Sequence, residues 1–328
     1  MYNIYKIDVN NLTEKEIQDL FLANKKIVNK YNHLDRFYPL NNYKNIFLSG
    51  FTNIDNELFI LERDSLICGI LTSIKAADWS GKEQYKLTIS LCESIIDEAM
   101  INALNKLIED KLNDHGELAV VTYNNELEEL IKKHTNKVNL RGNYYTLKKE
   151  DIDIDMVNKA IKDYETMNED LTIKYTDIIS EEYIEEYCSL FTETMKDMTD
   201  VKEECYEEFI ITPEKQRLNN VSNKERNVTH HCYMIFNSNN EMVAKSNLSV
   251  NNNDPRFPYQ FMIGVKRAYR GRSLGKWLYA SMYIRLYETV DFDRVLVCHH
   301  PENNHAIDIS EWVGYKFIYL QTIYVLHK

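Results

Sequence analysis

Residues 261–279 read FMIGVKRAYRGRSLGKWLY, and the division of this stretch decides the fold. An apolar strand ends at Val265. A turn, RGRSLG, covers 270–275, and a helix begins near Ser273 with Leu274, Leu278, Met282, Leu286 and Val290 at i+4 spacing. The chain holds only nine glycines in 328 residues, and four of them lie between Gly264 and Gly314. Glycine is chosen where the backbone needs positive φ or close approach. A loop that passes from a strand into a helix start exposes several backbone N–H groups, and the helix dipole makes them an anion site. Arg270, Arg272 and Lys276 crowd this turn although the chain carries a net charge of −12. That local reversal of sign points to a phosphate ligand. Neither GxGxxG nor GxxxxGK[ST] is present, so dinucleotide and P-loop readings are weak.

The residues now in view resemble the GNAT superfamily, the GCN5-related N-acetyltransferases. The family's phosphate loop, Q/R-x-x-G-x-G/A after a strand ending in Val, is similar to Arg270-Gly271-Arg272-Ser273-Leu274-Gly275 after Ile263-Gly264-Val265. A second motif follows at the right distance: Asn303-x-x-Ala306, a helix IDISEWV, then Gly314-Tyr315. The resemblance implies acetyl-CoA as cosubstrate, with no metal. The strand before the loop would splay from its neighbour, and backbone groups of Ile263 and Val265 would pair with pantetheine. The pyrophosphate would sit on N–H groups from Gly271 to Lys276, and Asn303 would contact the pantetheine arm or the strand ends. The implied cofactor-binding set is therefore Ile263, Gly264, Val265, Arg270 to Lys276 in full, and Asn303. A neutral amine attacks the thioester, a backbone N–H stabilises the oxyanion, and a base removes the amine proton.

Two positions depart from the family. Ser273 stands where it has Gly; Ser still donates its N–H and is a good N-cap. Ser310 stands where many members carry a Tyr that protonates the leaving thiolate, and a Ser hydroxyl is far less acidic than the roughly pKa 10 of Tyr. His299, ending the strand VLVCHH, is a candidate to serve instead, because His titrates nearest neutral pH. His299 and Ser310 are thus the catalytic candidates, with Gln260 and Asp254 as further polar ones.

Outward from this site, the chain repeats itself. NIYKIDVNN followed by TEKEIQDLFLANKKIVNKY near the start, with a capping box from Thr13 to Glu16, is echoed by LTIKYTDIIS and EEYIEEYCSLFTETM from Leu171. Hairpins with turns at Arg63–Asp64 and Asn239–Asn240 correspond. So do the closing segments 118–149 and 295–328, each a strand, an Asn-containing turn, a helix and a strand rich in Tyr and Thr. The order per half is strand, helix, two hairpin strands, strand, helix, strand, helix, strand. That order predicts α/β architecture: two tandem GNAT-like domains, each a mostly antiparallel mixed sheet with a splayed central pair flanked by helices. Residues 1–150 form the first, 151–170 a linker, and 171–328 the second. The first half lacks the loop: KLTISLCES runs into IIDEAMINAL with Glu93 and Asp97 where a pyrophosphate needs cations, so it reads as degenerate and unable to bind CoA.

Composition sets the outer limits. With 44% hydrophobic and 27% charged residues the chain reads as globular, and no apolar run approaches a membrane span. Fifty-one acidic against 39 basic side chains disfavour nucleic acid as a partner. Together with Glu203, Glu204, Glu207 and Glu208, the charge favours a small cationic amine as acceptor. Six scattered cysteines without CxxC read as free thiols in a cytoplasmic protein. The pairs His230–His231 and His299–His300 point to opposite faces of a strand and hold no metal simply. A monomer or homodimer is expected. Two other functions fit the residues: a degenerate acyl-CoA-binding or regulatory module, and a protein or peptide N-acetyltransferase.

Overall fold

The computed structural model describes residues 2–31, 40, 43–44, 47–52, 55–77, 83–92, 96–123, 127–134, 138–196 and 210–328. The first half runs β1 (Asn3–Lys6), α1 (Glu14–Tyr31), β2 (Glu57–Arg63), β3 (Leu66–Ala77), β4 (Glu83–Leu91), α2 (Glu98–His115), β5 (Glu117–Tyr123), α3 (Glu128–Lys132) and β6 (Val138–Lys148). After α4 (Ile154–Met167), the order returns as β7 (Thr172–Thr176), α5 (Ile184–Lys196), α6 (Pro213–Glu225), β8 (Val228–Phe236), β9 (Met242–Asn251), β10 (Tyr259–Val265), α7 (Leu274–Thr289), β11 (Arg294–His299), α8 (Asn304–Val313) and β12 (Lys316–His327). The duplicated order is therefore present, with α6 added. Thr212 caps α6 through the Lys215 N–H and Pro213 opens it, the pair of start signals its sequence offers.

Local chemistry sets the element ends. Thr13 N–H donates to Glu16 Oε2 (2.7 Å) and Glu16 N–H to Thr13 Oγ1 (3.3 Å), closing the expected capping box on α1. The first hairpin turns on Asp64 and Ser65, both at positive φ, and the second on Asn240 at φ 60°. The two-residue turn of the first hairpin requires that conformation at both positions, and in the longer Asn237–Glu241 loop of the second Asn240 supplies the one left-handed residue.

The chain falls into two compact units, Met1–Gly142 with Ile318–Lys328, and Asn143–Phe317. In the first, strands run in the order β1-β2-β3-β4-β5-β12, and Gln321–His327 of β12 lie antiparallel to Glu117–Tyr123 of β5. In the second the order is β6-β11-β10-β9-β8-β7, with Asn143–Lys148 of β6 antiparallel to Arg294–His299 of β11. Each unit thus takes the last strand of the other half, where the sequence suggests divisions at 150 and 171. The segment expected as a linker is helix α4. Asp153 caps it by accepting from the Met156 N–H (2.9 Å), and Val157 and Ala160 bury against the core around α7.

That core explains why α7 is apolar on more than one stripe. Trp277, Tyr279, Ala280 and Tyr283 are buried along with Leu274, Leu278, Met282 and Leu286, because α4, α8 and the sheet all pack against it. Val290 is its C-terminal cap. The first unit has its own core, in which Leu104 and Ile108 of α2 meet Leu71, Leu87, Leu118 and Val120 of the sheet. Among the described residues no helix is long and apolar enough to cross a membrane.

Candidate active site

Strand β10 is parallel to β11 at only two positions, Tyr259 with Leu296 and Gln260 with Val297. On its other side β10 stays paired to β9 as far as Val265, through a bulge between Gln260 and Ile263. So β10 and β11 part after Gln260 while β10 holds to β9. In this ladder Gly264 faces Lys245, and Lys266 N–H donates to the Val243 carbonyl (2.9 Å). Even residues therefore bond to β9, and Ile263 and Val265 turn their backbone groups to the opened edge. Arg270 folds back so that its Nε donates to the Val265 carbonyl (3.1 Å).

The turn into α7 matches the expected loop, with each side chain in a particular task. Gly271 sits at φ +81°, a conformation only glycine adopts without cost. Ser273 is also left-handed, at φ 59° and ψ 20°, and its hydroxyl makes no capping hydrogen bond. Its expected role as a side-chain N-cap is thus corrected: a side-chain oxygen caps from an extended backbone, which this residue does not have. The N–H groups at the start of α7 remain, because no helical turn precedes them. We expect Ser273→Gly to stabilise the protein by about 0.5–1 kcal/mol, the relief of left-handed strain less the entropy that glycine adds to the unfolded chain. A denaturation midpoint unchanged or lowered in that variant would refute the strain.

The cations differ from their expected use. The Arg272 guanidinium forks onto Asp170 and bonds Asn168 Oδ1 (3.0 Å), which ties the loop to the end of α4 and holds the Asp170 carboxyl below its usual range. Lys276 lies over the Trp312 ring, Nζ 5.2 Å from its centre. The glycines flanking the loop serve packing. A Cβ on Gly264 would come within 2.7 Å of Thr194, and one on Gly275 within 2.7 Å of Ile309. Leu274 is a core residue. Asn303 Oδ1 accepts from the Ala306 N–H (3.2 Å) as the cap of α8.

Beyond the last β10–β11 pair, His299 and Ser310 are buried and joined, Nε2 to Oγ at 2.7 Å. Burial pushes the His299 imidazole down to about 4. In the same interior the Tyr283 hydroxyl donates to Gln260 Oε1 (3.3 Å) and shares a bond with the Tyr315 hydroxyl (2.7 Å). Gln260 is thus an interior partner of Tyr283. Asp254 pairs with Arg256 two residues on (2.6 Å), which holds its carboxyl low, and it belongs to neither group.

The sequence reading missed a second buried polar group on the α5 face. Lys245 is fully buried, with Nζ 3.0 Å from Asn247 Oδ1 and 4.4 Å from the Tyr187 ring centre; burial lowers its amine to about 8. Asn247 donates to Tyr187 (2.6 Å) and to His230 Nε2 (2.7 Å). The only signal was a lone Lys within the apolar run MVAKSNLSV. The acidic residues Glu203, Glu204, Glu207 and Glu208 lie outside the described residues.

The first unit opens the corresponding strand pair differently. Strands β4 and β5 pair at Lys86, Leu87 and Thr88 only, and the Leu91 N–H near the parting donates to the Tyr31 hydroxyl (3.4 Å). Tyr31 packs on Tyr123, ring centres 5.1 Å apart. Asp97 accepts from the Met100 N–H as the cap of α2 (2.8 Å) and pairs with Arg63 (3.2 Å). Glu93 lies outside the described residues. Among the described residues no group of three His, Cys, Asp or Glu could hold a metal.

Residues 192–315 match the Acetyltransferase (GNAT) family. No curated protein matches the chain significantly in sequence. Solved structures match its whole length in shape. A tandem GNAT protein from the clavulanic acid biosynthesis pathway, solved without AcCoA, is 10% identical with a TM-score of 0.55, covering 100% of this chain and 98% of its own. A GCN5-related N-acetyltransferase from Sphaerobacter thermophilus is 8% identical with a TM-score of 0.59, covering 99% and 95%. A glucosamine N-acetyltransferase region of a fungal multi-domain enzyme is 10% identical with a TM-score of 0.59, covering 99% of this chain and 38% of that one. The likeness read from Arg270–Gly275 therefore holds. The chain has the GNAT fold in tandem arrangement, and its second half carries a GNAT domain.

Proposed function

We propose that the chain is an acyl-CoA-dependent N-acetyltransferase that moves an acetyl group from acetyl-CoA to an amine, with its site in the second unit. The observation that carries this reading is the opened edge of β10. Ile263 presents its backbone donor and acceptor there and Val265 its N–H, the Val265 carbonyl being held by Arg270, and Gly271 to Lys276 set unpaired N–H groups at the start of a long helix. A pantetheine arm, an extended chain with two amides, fits the first. A pyrophosphate fits the second. Acetyl-CoA supplies an activated thioester, and the chain's part is to hold it along the strand edge and to manage the amine proton.

The acceptor we propose is a small amine, cationic in keeping with the net charge of −12. Among the described residues Cys68, Cys92, Cys188, Cys232 and Cys298 take part in no disulfide, which suits a reducing cytoplasm. We propose a monomer or homodimer, without nucleic acid or membrane. Replacement of the family's Tyr by Ser310 favours one other reading, a module that binds acyl-CoA without transferring it. Thiol release from acetyl-CoA against a panel of amines separates the two. Turnover above the hydrolytic background with at least one amine is expected. Binding without turnover against every amine would establish the module instead.

A further inference from the structure

Phe261 leaves 54% of its surface open on the strand that bounds the proposed site, and a bulge puts it there. Gln260 faces Leu248 and Ile263 faces Ser246, so Phe261 and Met262 together oppose the single residue Asn247. A bulge re-aims side chains, and here both turn toward α5. Thr194 Oγ1 of α5 lies 3.2 Å from Met262 Sδ. The Phe261 ring stands edge-on to Tyr259, centres 4.9 Å apart, and 6.2 Å from His230. Beneath these rings the polar groups are spent on one another. The Lys245 ammonium only donates, so Asn247 turns Oδ1 to it (3.0 Å) and its NH2 group to the Tyr187 hydroxyl (2.6 Å) and to His230 Nε2 (2.7 Å). His230 Nδ1 faces Ser249 Oγ (3.4 Å). What this face offers a ligand is ring surface.

We infer that the acceptor carries its amine on an apolar body, an alkyl chain or an aromatic ring, which packs on Phe261 and Tyr259 from the α5 face. The inference rests on the function proposed above for the place of the thioester. With the pyrophosphate beyond Val265 and pantetheine along Val265 and Ile263, the acyl end of the cosubstrate comes beside Met262 and Phe261. An amine that reaches it from the α5 face passes over the Phe261 ring. A body of hydroxyls would shed its water there and find no free partner. A second ammonium is drawn to a ring face, yet here it meets the buried Lys245 cation. That charge lies 4.4 and 4.7 Å from the ring centres of Tyr187 and Phe191 and has no carboxylate partner among the described residues, so it repels another cation nearby. The acceptor is thus a monoamine, and Phe261 is its specificity-determining residue.

Amine binding to the full-length protein loaded with CoA, read by saturation-transfer NMR titration, tests this without any transfer, because CoA carries no acyl group. We expect butylamine to bind roughly tenfold or more tighter than methylamine, since each methylene taken from water is worth up to about fourfold, and phenethylamine tighter still. Serinol, a polar amine of similar size, and 1,4-diaminobutane should each bind more weakly than butylamine. Phe261→Ala should remove most of the advantage of butylamine, and Phe261→Leu, which returns an apolar side chain without a ring, should restore it in part. Butylamine no tighter than serinol, a series unchanged in Phe261→Ala, or no amine bound at all would overturn the inference. Acetyl transfer to the same amines tests the other reading. Binding in the expected order without transfer leaves the acceptor wall standing and removes the transferase, and transfer with no preference for apolar bodies does the reverse.

Discussion

Acidification from pH 7 toward 4.5 is expected to unfold the second unit cooperatively, because it buries three neutral histidines. His230 accepts from Asn247, His231 shares a bond with the Tyr175 hydroxyl (2.8 Å), and His299 bonds Ser310. Burial is the main cause in each and lowers all three to about 4; Lys245 adds to it at His230 and Arg285 at His231. An unfolded imidazole titrates near 6.5. Between these values the unfolded chain binds more protons than the folded one, so stability falls as the pH falls through that window. The contribution is fully present above about 6.5 and is lost as the pH drops through about 4. At about 1.4 kcal/mol per pH unit, each imidazole forfeits on the order of 3 kcal/mol. The three together forfeit on the order of 10 kcal/mol, comparable with a whole domain's stability. Denaturant titrations at pH 7, 6 and 5 measure the slope, and His299→Asn should reduce it by about a third. Equal stability at pH 7 and 5 would show that these rings are already charged or solvated in the fold.

These histidines mark the limit of what the sequence discloses. Turns, caps and strand order are local, and they could be read: Thr13 with Glu16, Asn240 at positive φ, the break at Gly271. The exchange of β6 and β12 could not, because the two segments have the same alternating, Tyr- and Thr-rich character and either would complete either sheet. Arg272 looked like a phosphate cation because its partners Asn168 and Asp170 are 104 and 102 residues away in the chain. Asn303 matched a ligand-contacting motif, yet its spacing to Ala306 is also that of a helix cap, and the cap is what forms. The buried bonds of Tyr283 to Gln260 and of His299 to Ser310 join α7 to β10 and β11 to α8 through residues with no pattern in common, so only packing reveals them.

One acyl-CoA per chain is expected at saturation, and Gly271→Glu is expected to abolish it. We propose that the two units divide the work, the second binding the cosubstrate and the first stabilising the protein without it. Both part the strands that would receive a pantetheine arm, so the parting alone does not separate them. The difference lies in the segments just beyond it. After β10 the chain makes a glycine turn straight into the unpaired N–H groups of α7. In the first unit Tyr31 occupies the Leu91 N–H, and the N-terminus of α2 is already neutralised by its own cap, Asp97, which satisfies the Met100 N–H. A phosphate arriving there would meet a carboxylate in a partly desolvated place. Gly271→Glu recreates that arrangement in the second unit. Its Cβ would meet nothing within 4 Å, so the fold survives with about 1 kcal/mol of left-handed strain. Its carboxylate would lie beside the N-terminus of α7, where negative charge is favoured, and would compete with the phosphate from a tethered position. A loss of about 2.7 kcal/mol is roughly a hundredfold in affinity, enough to remove the signal from a calorimetric titration of CoA at micromolar protein. Unchanged affinity in that variant would place the phosphate elsewhere, and a wild-type stoichiometry of two would mean that Asp97 and Tyr31 give way to the ligand.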